Sequence, residues 1–403
     1  MAYALQGLTL IDGYAHQNIT TGNGGMYDTA QNPSFSTGVL RTPRHQATYF
    51  CNQNNAANSL RYNFGTYIGA NPSVVTMSLY FMVPSGGKPT GATSANMMFA
   101  TSQTNGGSCG ISMGGSTNGG MLIPTIPSGS GTATSKRYDD GLWHRVDMCF
   151  DATNNPWVIS WQIDGITQTP CTSALAADTF NSVGVGASST AIVFPRYYSD
   201  IFISNSAADY PIGPHEILPL HPSGEGTDHL GTTNPIKGDG NETTNLYQKL
   251  QAWKAGATPG QSAYIQYTNT TLGDGSSNYV EVLFDDPVAT SAIMAVRSYR
   301  AMWANSSASC NCAVKVVDSS GNNIEASAVV STSSTALVYN QAANGLGIAS
   351  TRHMVTPPSG GWTPANLADV RMRWGFTTDT NPIIKCSGLM LEYACLPPDQ
   401  LVA

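Results

Sequence analysis

Charge is scarce in this sequence. Only 11% of its 403 residues are charged, against a usual share of roughly 25%, so long surface helices laced with ion pairs are not expected. No run of lysines or arginines occurs and the net charge is −7. This argues against a nucleic-acid partner, whose phosphates demand a basic patch. No apolar run approaches the roughly 18 residues that a bilayer span needs. The opening MAYALQGLTLIDGYAHQ also lacks a basic start followed by an apolar core, which predicts a protein made in a cytoplasm, with no membrane association. Glutamate is absent before Glu216, and the eight cysteines include no CxxC pair. A zinc site is therefore not expected, and reduced, buried thiols are the default.

What is present points to strands. Apolar residues make up 41% and glycine alone numbers 41, a balance that suits short strands joined by many turns. From Leu8 to about Asn205 the runs VVTMSLYFMV, NMMFAT, GISMG, GMLIPTI, WVISWQID and SDIFIS are strand-sized, with GGSTNGG and SGSGTATS as turn material. The chain length fits two medium domains. The predicted division is a β-sandwich over 1–206, a Pro/Gly-rich linker over 207–226, and a second β domain over 227–403. In the second half TNLYQKLQAWK reads as a short helix through Leu246, Leu250 and Trp253. A second helix starts at Thr363 as N-cap with Pro364 at the first helical position. AVKVVDSSGNNI predicts a hairpin.

The stretch DGLWHRVDMCFD, residues 140–151, gathers residues that could form a catalytic cluster. Strand alternation separates them: His144, Val146, Met148 and Phe150 share the core face, and Trp143, Arg145, Asp147 and Cys149 share the other, facing solvent or a neighbouring layer. Cys149 and His144 thus cannot act as a dyad within this strand. Packing is the expected role. His215, Glu216, His221, Glu225, Asp228 and His229 cluster in and just after the predicted linker at spacings matching no zinc motif, and read as linker polarity.

GLWHRVDMCFDATNNPWVISWQIDG resembles the G-x-W-H-x-V … DG signature of laminin-G-like, concanavalin-A-like sandwiches, carried here by Gly141, Trp143, His144, Val146, Asp164 and Gly165. YYSDIFISN resembles the closing strand of that family. The resemblance implies an all-β concanavalin-A-like jelly-roll followed by a second β-sandwich. Glycoside hydrolases of this fold use paired glutamates on one strand, and the first domain has none, so no catalytic residue is assigned. No dense Asp/Asn cluster suggests calcium, so neither a metal nor a cofactor is expected. The best carbohydrate platform is VFPRYYSD, with Arg196, Tyr197 and Tyr198 as candidates, because aromatic faces stack on sugars. Alternation sets Phe194, Arg196 and Tyr198 opposite Tyr197.

The order PIG, short helix, NYV, AIMAVR, V-x-V-x-D-SSG hairpin, STALVYN, GGWT with a helix, RWGF and GLMLEY is similar to that of tailed-bacteriophage structural proteins. It is carried by residues such as Pro211, Gly213, Tyr279, Gly321, Trp362, Gly375 and Tyr393. The resemblance implies a non-enzymatic virion component of tail, neck or head, assembled in the host bacterial cytoplasm. It would be homo-oligomeric and in contact with other virion proteins. The alternative is an adhesin for host surface glycans, and a polysaccharide-degrading enzyme ranks below both. In a particle working outside the cell, Cys310, Cys312, Cys386 and Cys395 become candidates for disulfides formed after lysis. Cys386 and Cys395 lie too far apart on one strand to pair with each other unless Ser387-Gly388 turns sharply.

Overall fold

The computed structural model describes residues 8–14, 29–30, 34–52, 59–65, 70–91, 94–105, 107–116, 118–186, 194–226, 236–254, 262–267, 279–288, 292–304, 310–332, 338–339, 353–355, 357–358, 360–376 and 384–397. The chain is all-β. Its first half folds into two antiparallel sheets in a jelly-roll arrangement. One runs Ile166–Thr167, Trp157–Ile163, Trp143–Asp151, Val74–Met82, Pro195–Ser204, Thr48–Asn52 and Ser34–Ser36, with Leu8–Asp12 also paired to Pro195–Ser204. The other runs Gly129–Ser130, Leu122–Ile126, Ser108–Met113, Ala95–Ser102, Phe180–Gly186, Ser59–Asn63 and Thr29–Ala30. Alternation places Val75, Met77, Leu79 and Phe81 with Val146, Met148 and Phe150 in one core, closed by the buried Trp157 and Trp161. Each large apolar side chain so buried contributes about 1.5–3 kcal/mol.

The second half repeats the plan. One sheet is built on the long pair Ile293–Ala304 and Ile384–Cys395, and the other runs Pro222–Glu225, Tyr279–Phe284, Arg371–Phe376, Cys310–Val317 and Asn323–Thr332. The expected hairpin is there: Val317 pairs with Asn323 across a turn whose Asp318 carboxylate accepts from the backbone of Ser320 and Asn322. Thr363 caps the Pro364–Ala368 helix through a reciprocal box with Asn366. At Leu246–Leu250 the expected short helix is a five-residue 3-10 helix. Among the described residues no helix is long and apolar enough to cross a membrane.

Two expectations are corrected. The stretch 207–226 does not serve as a linker: Glu216–Leu220 pairs with Ile384–Cys395, and Pro222–Glu225 pairs with Tyr279–Phe284. Proline and glycine are tolerated there because both strands lie at sheet margins and one carries a bulge. Cys386 and Cys395, two of the disulfide candidates, lie buried on one strand with no bond between them, and burial pushes both thiols up to about 12. The side chains of Cys310 and Cys312 lie outside the described residues. Finally, His215, Glu216 and His221 are interior groups, exposed by 0%, 1% and 5%, because the segment that carries them is sandwiched between the two halves.

That junction is partly apolar and partly ionic. Ile11, Phe202, Ile212, Ile217, Met294, Ala295 and Ala394 form a small cluster drawn from both halves. Gly13 is needed there, since a Cβ would sit 2.6 Å from the Ile217 carbonyl oxygen.

Candidate functional site: an arginine-lined cleft at the junction

The site starts from a bulge. Along Pro195–Ser204, Ser199 pairs with Tyr80 but Phe202 pairs with Ser78, so one residue is inserted. Asp200 absorbs it with φ +53°, a left-handed conformation that aspartate tolerates better than most residues. Strict alternation from Tyr198 would aim Asp200 into the apolar core. The bulge instead gives the core Ile201 and Ile203 and turns Asp200 toward the second half.

Asp200 is fully buried and engaged on every side. Arg41 Nε donates to Oδ2 at 2.6 Å, His45 Nε2 meets Oδ1 at 2.8 Å, Ser199 Oγ donates to Oδ2 at 2.7 Å, and the Ile217 amide donates to Oδ1 at 2.6 Å. Burial alone would raise its pKa, but Arg41 and His45 outweigh that and hold the carboxyl far below the usual range. Arg41 also donates to the His215 carbonyl at 3.0 Å and lies 3.9 Å over the Tyr80 ring. Glu216 sits between Arg41 at 3.6 Å and Arg44 at 2.5 Å. A separate ionic contact links Arg297 of the second half to the Ile11 carbonyl at 2.7 Å and to Asp12 at 3.7 Å.

The residues around this network line a cleft of about 690 Å³: Arg41, Thr42, Arg44, Tyr80, Arg145, Asp164, Gly165, Pro214, Glu216 and Pro397. The Asp164-Gly165 turn is at its rim, with φ +51° and +82°, a two-residue hairpin in which both positions need the left-handed region. Arg145 comes from the strand that also holds His144, on the opposite face. Its Nε donates to the fully buried Asp147 at 2.9 Å, and Asp147 also accepts from the Gly213 amide at 3.1 Å. The polar face of this strand therefore meets a neighbouring layer, the 210–215 segment, rather than solvent.

His144 points to the core, as alternation predicts, but not to apolar groups alone. Its Nδ1 lies 2.8 Å from Asp164 and its Nε2 3.0 Å from Asp140, with Tyr138 edge-on at 4.8 Å. Burial lowers its pKa, yet the two carboxylates overcome this and raise it. The Asp164 pairing, twenty residues away across a hairpin, has no signal in local spacing. The Asp140 contact, at i+4 through a turn, had one.

The sequence-predicted platform does not present itself to a ligand. Arg196 and Tyr198 are both 0% exposed. Arg196 donates to the Tyr198 hydroxyl and the Phe194 carbonyl, and Tyr198 donates to the Met97 carbonyl. The half-buried Tyr197 packs on Phe50 at 4.8 Å. The alternation was right, and the face it assigned to Arg196 and Tyr198 is the core. Among the described residues no group of three or more His, Cys, Asp or Glu side chains is placed to hold a metal.

No family model matches the sequence, and no curated protein matches it. Solved structures match in part. Domain 4 of AbnA, a GH43 extracellular arabinanase from Geobacillus stearothermophilus in complex with arabinotriose, is 16% identical over 49% of this chain and 92% of that one, with a TM-score of 0.33. A conserved carbohydrate esterase from Shiga toxin-encoding bacteriophage phi24B is 16% identical over 44% and 89%, TM-score 0.30. The cellulose-induced protein Cip1 is 13% identical over 44% and 88%, TM-score 0.32. At these identities and TM-scores nothing about activity or ligand follows from the likeness.

Proposed function

We propose that this protein is a non-enzymatic structural component of a tailed-phage virion, an appendage of tail, neck or head that assembles through its β domains with copies of itself and with other virion proteins. The observation that carries the reading is the junction. Two sandwiches that share an apolar cluster and are tied by the buried Arg41–Glu216 and Arg297–Asp12 pairs make one stiff block, because parting them would leave buried charges unpaired. A block of that kind suits a particle part exposed to mechanical load. The resemblance of the second half to phage structural proteins supplies the particle. Gold-labelled antibody on purified tailed particles is expected to mark one fixed position on each. Particles whose full protein inventory lacks this chain would overturn the proposal.

A second reading, recognition of a host surface glycan, is favoured by one observation: a concave, sugar-sized cleft at the junction lined by three arginines. It is compatible with the virion location and replaces the Arg196, Tyr197 and Tyr198 platform with a different surface.

A further inference from the structure

We propose that the junction cleft binds a sugar-sized ligand through an oxyanion, a carboxylate or a phosphate, held by Arg145 and Arg44 with help from the Tyr80 hydroxyl. This deepens the glycan reading and rests on it for the ligand class.

Along the cleft wall the acids are engaged by the protein and several donors are not. Both Asp164 oxygens are engaged: Oδ2 meets His144 and Oδ1 accepts from the Arg145 amide at 2.9 Å. Glu216 is 1% exposed and bracketed by two guanidinium groups. The acids of the cleft are thus spoken for by the protein. The donors are not. The Arg145 side chain is 10% exposed, and only its Nε is bonded, to Asp147; its two Nη groups have no protein partner among the described residues. Nη2 lies 3.8 Å from the point where a Cβ on Gly165 would stand, so it borders the cleft where glycine leaves the wall open. Arg44, 32% exposed, uses one Nη on Glu216 and keeps Nε and the other Nη. Tyr80 accepts from the His215 amide at 3.4 Å, and burial raises its pKa, so its hydroxyl stays protonated and able to donate.

Each arginine is fixed from behind by a buried carboxylate, Asp147 for Arg145 and Glu216 for Arg44. An anion entering the cleft therefore meets donors already oriented, with little side-chain entropy left to lose. Three of only 18 basic residues in a chain of net charge −7 converge on this one concavity. General surface basicity does not explain them. A neutral sugar is a poorer fit, because the Tyr80 ring that would stack on it is already covered by Arg41 at 3.9 Å. The volume of about 690 Å³ exceeds what a bare ion needs and lies within the usual range for organic ligands.

The test titrates the full chain, by calorimetry, with glucuronic acid, glucose 6-phosphate and glucose. Saturable binding of one or both anionic sugars and none of glucose is expected, and the stronger of the two identifies carboxylate or phosphate as the natural group. Arg145→Gln and Arg44→Gln should each weaken binding about tenfold or more, the range for a lost charged hydrogen bond. Arg137→Gln, at an exposed ion pair outside the cleft, should not. Arg44→Gln alters a side chain one-third exposed and so keeps the test valid if Arg145→Gln fails to fold. Glucose binding as well as glucuronic acid would overturn the oxyanion while leaving glycan recognition standing. No binding of any of the three, with none on an array of bacterial surface glycans, would remove both. Binding that neither variant weakens would place the ligand elsewhere and overturn the assignment.

Discussion

The sheet that carries Val74–Met82 and Trp143–Asp151 is buried on both sides, and the two sides are built from different chemistry. Toward its partner sheet it presents Val75, Met77, Leu79, Phe81, Val146, Met148 and Phe150. On its other side it presents Thr76, Ser78, Tyr80, Arg145 and Asp147, covered by the 206–215 segment that leads into the second half, and the neighbouring strand adds Asp200, which accepts from the Ile217 amide. The first interface is non-directional: any apolar shape of the right volume contributes by leaving water. The second is directional, because each buried charge needs a partner at hydrogen-bond distance or it costs several kcal/mol. The core can therefore make a sandwich by itself, while the junction fixes how one sandwich sits on the other.

The largest effect should come from breaking the directional side. Asp200→Ala leaves Arg41, His45 and the Ile217 amide without their acceptor, and is expected to cost about 3–5 kcal/mol, the range for removing one partner of a buried ion pair. Chemical denaturation should then show the two halves unfolding in separate steps. A single cooperative transition with an unchanged midpoint would contradict the directional role of the junction. On the apolar side, Met148→Ala is expected to cost about 2–4 kcal/mol through lost burial and the cavity left behind, with the junction intact and one transition retained. A destabilisation that splits the transition would erase the distinction between the two interfaces.

The smallest effect is the most discriminating, since it separates the histidines by pH. Burial lowers His221 from 6.5 to about 4. A group depressed in the folded state gives stability that is intact above its unfolded pKa and lost as pH falls, so His221 weakens the protein between pH 6.5 and about 4. His215 is lowered in the same direction by burial. His144 has the opposite sign: raised by Asp164 and Asp140, it stabilises below its unfolded value and loses that contribution as pH rises through its folded one. Thermal melts across pH 4–8 should show His221→Asn flattening the acid limb and His144→Asn flattening the alkaline limb. Identical profiles for both variants would refute the opposed signs.

Much of the fold was legible in the sequence. Alternation in DGLWHRVDMCFD correctly put His144, Val146, Met148 and Phe150 on the core side, because a period of two is a local property of an extended backbone. The Asp164-Gly165 turn and the Thr363 cap were legible for the same reason: their conformations are dictated within four residues. The candidate site was not. Arg41, Tyr80, Arg145 and Glu216 are scattered over more than 170 positions of sequence, and each alone looks like an ordinary surface residue. The linker expectation over 207–226 failed because Pro219, Pro222 and Gly224 say where a strand is interrupted but not whether it has a partner. That partner, Ile384–Cys395 for Glu216–Leu220, lies at the far end of the chain.

The same division holds for the strand that ends the first sandwich. Its residues alone determined that Pro195–Ser204 would be extended, and that Arg196 and Tyr198 would share a side. Tertiary structure decided that this side is the core, closing the two residues to any ligand. It also decided that the extra residue is absorbed at Asp200, turning one carboxylate out of the core and into a cage of Arg41, His45 and the Ile217 amide. Local sterics can choose a strand. Only the donors that assemble around it, each from a different part of the chain, can make a buried charge stable there.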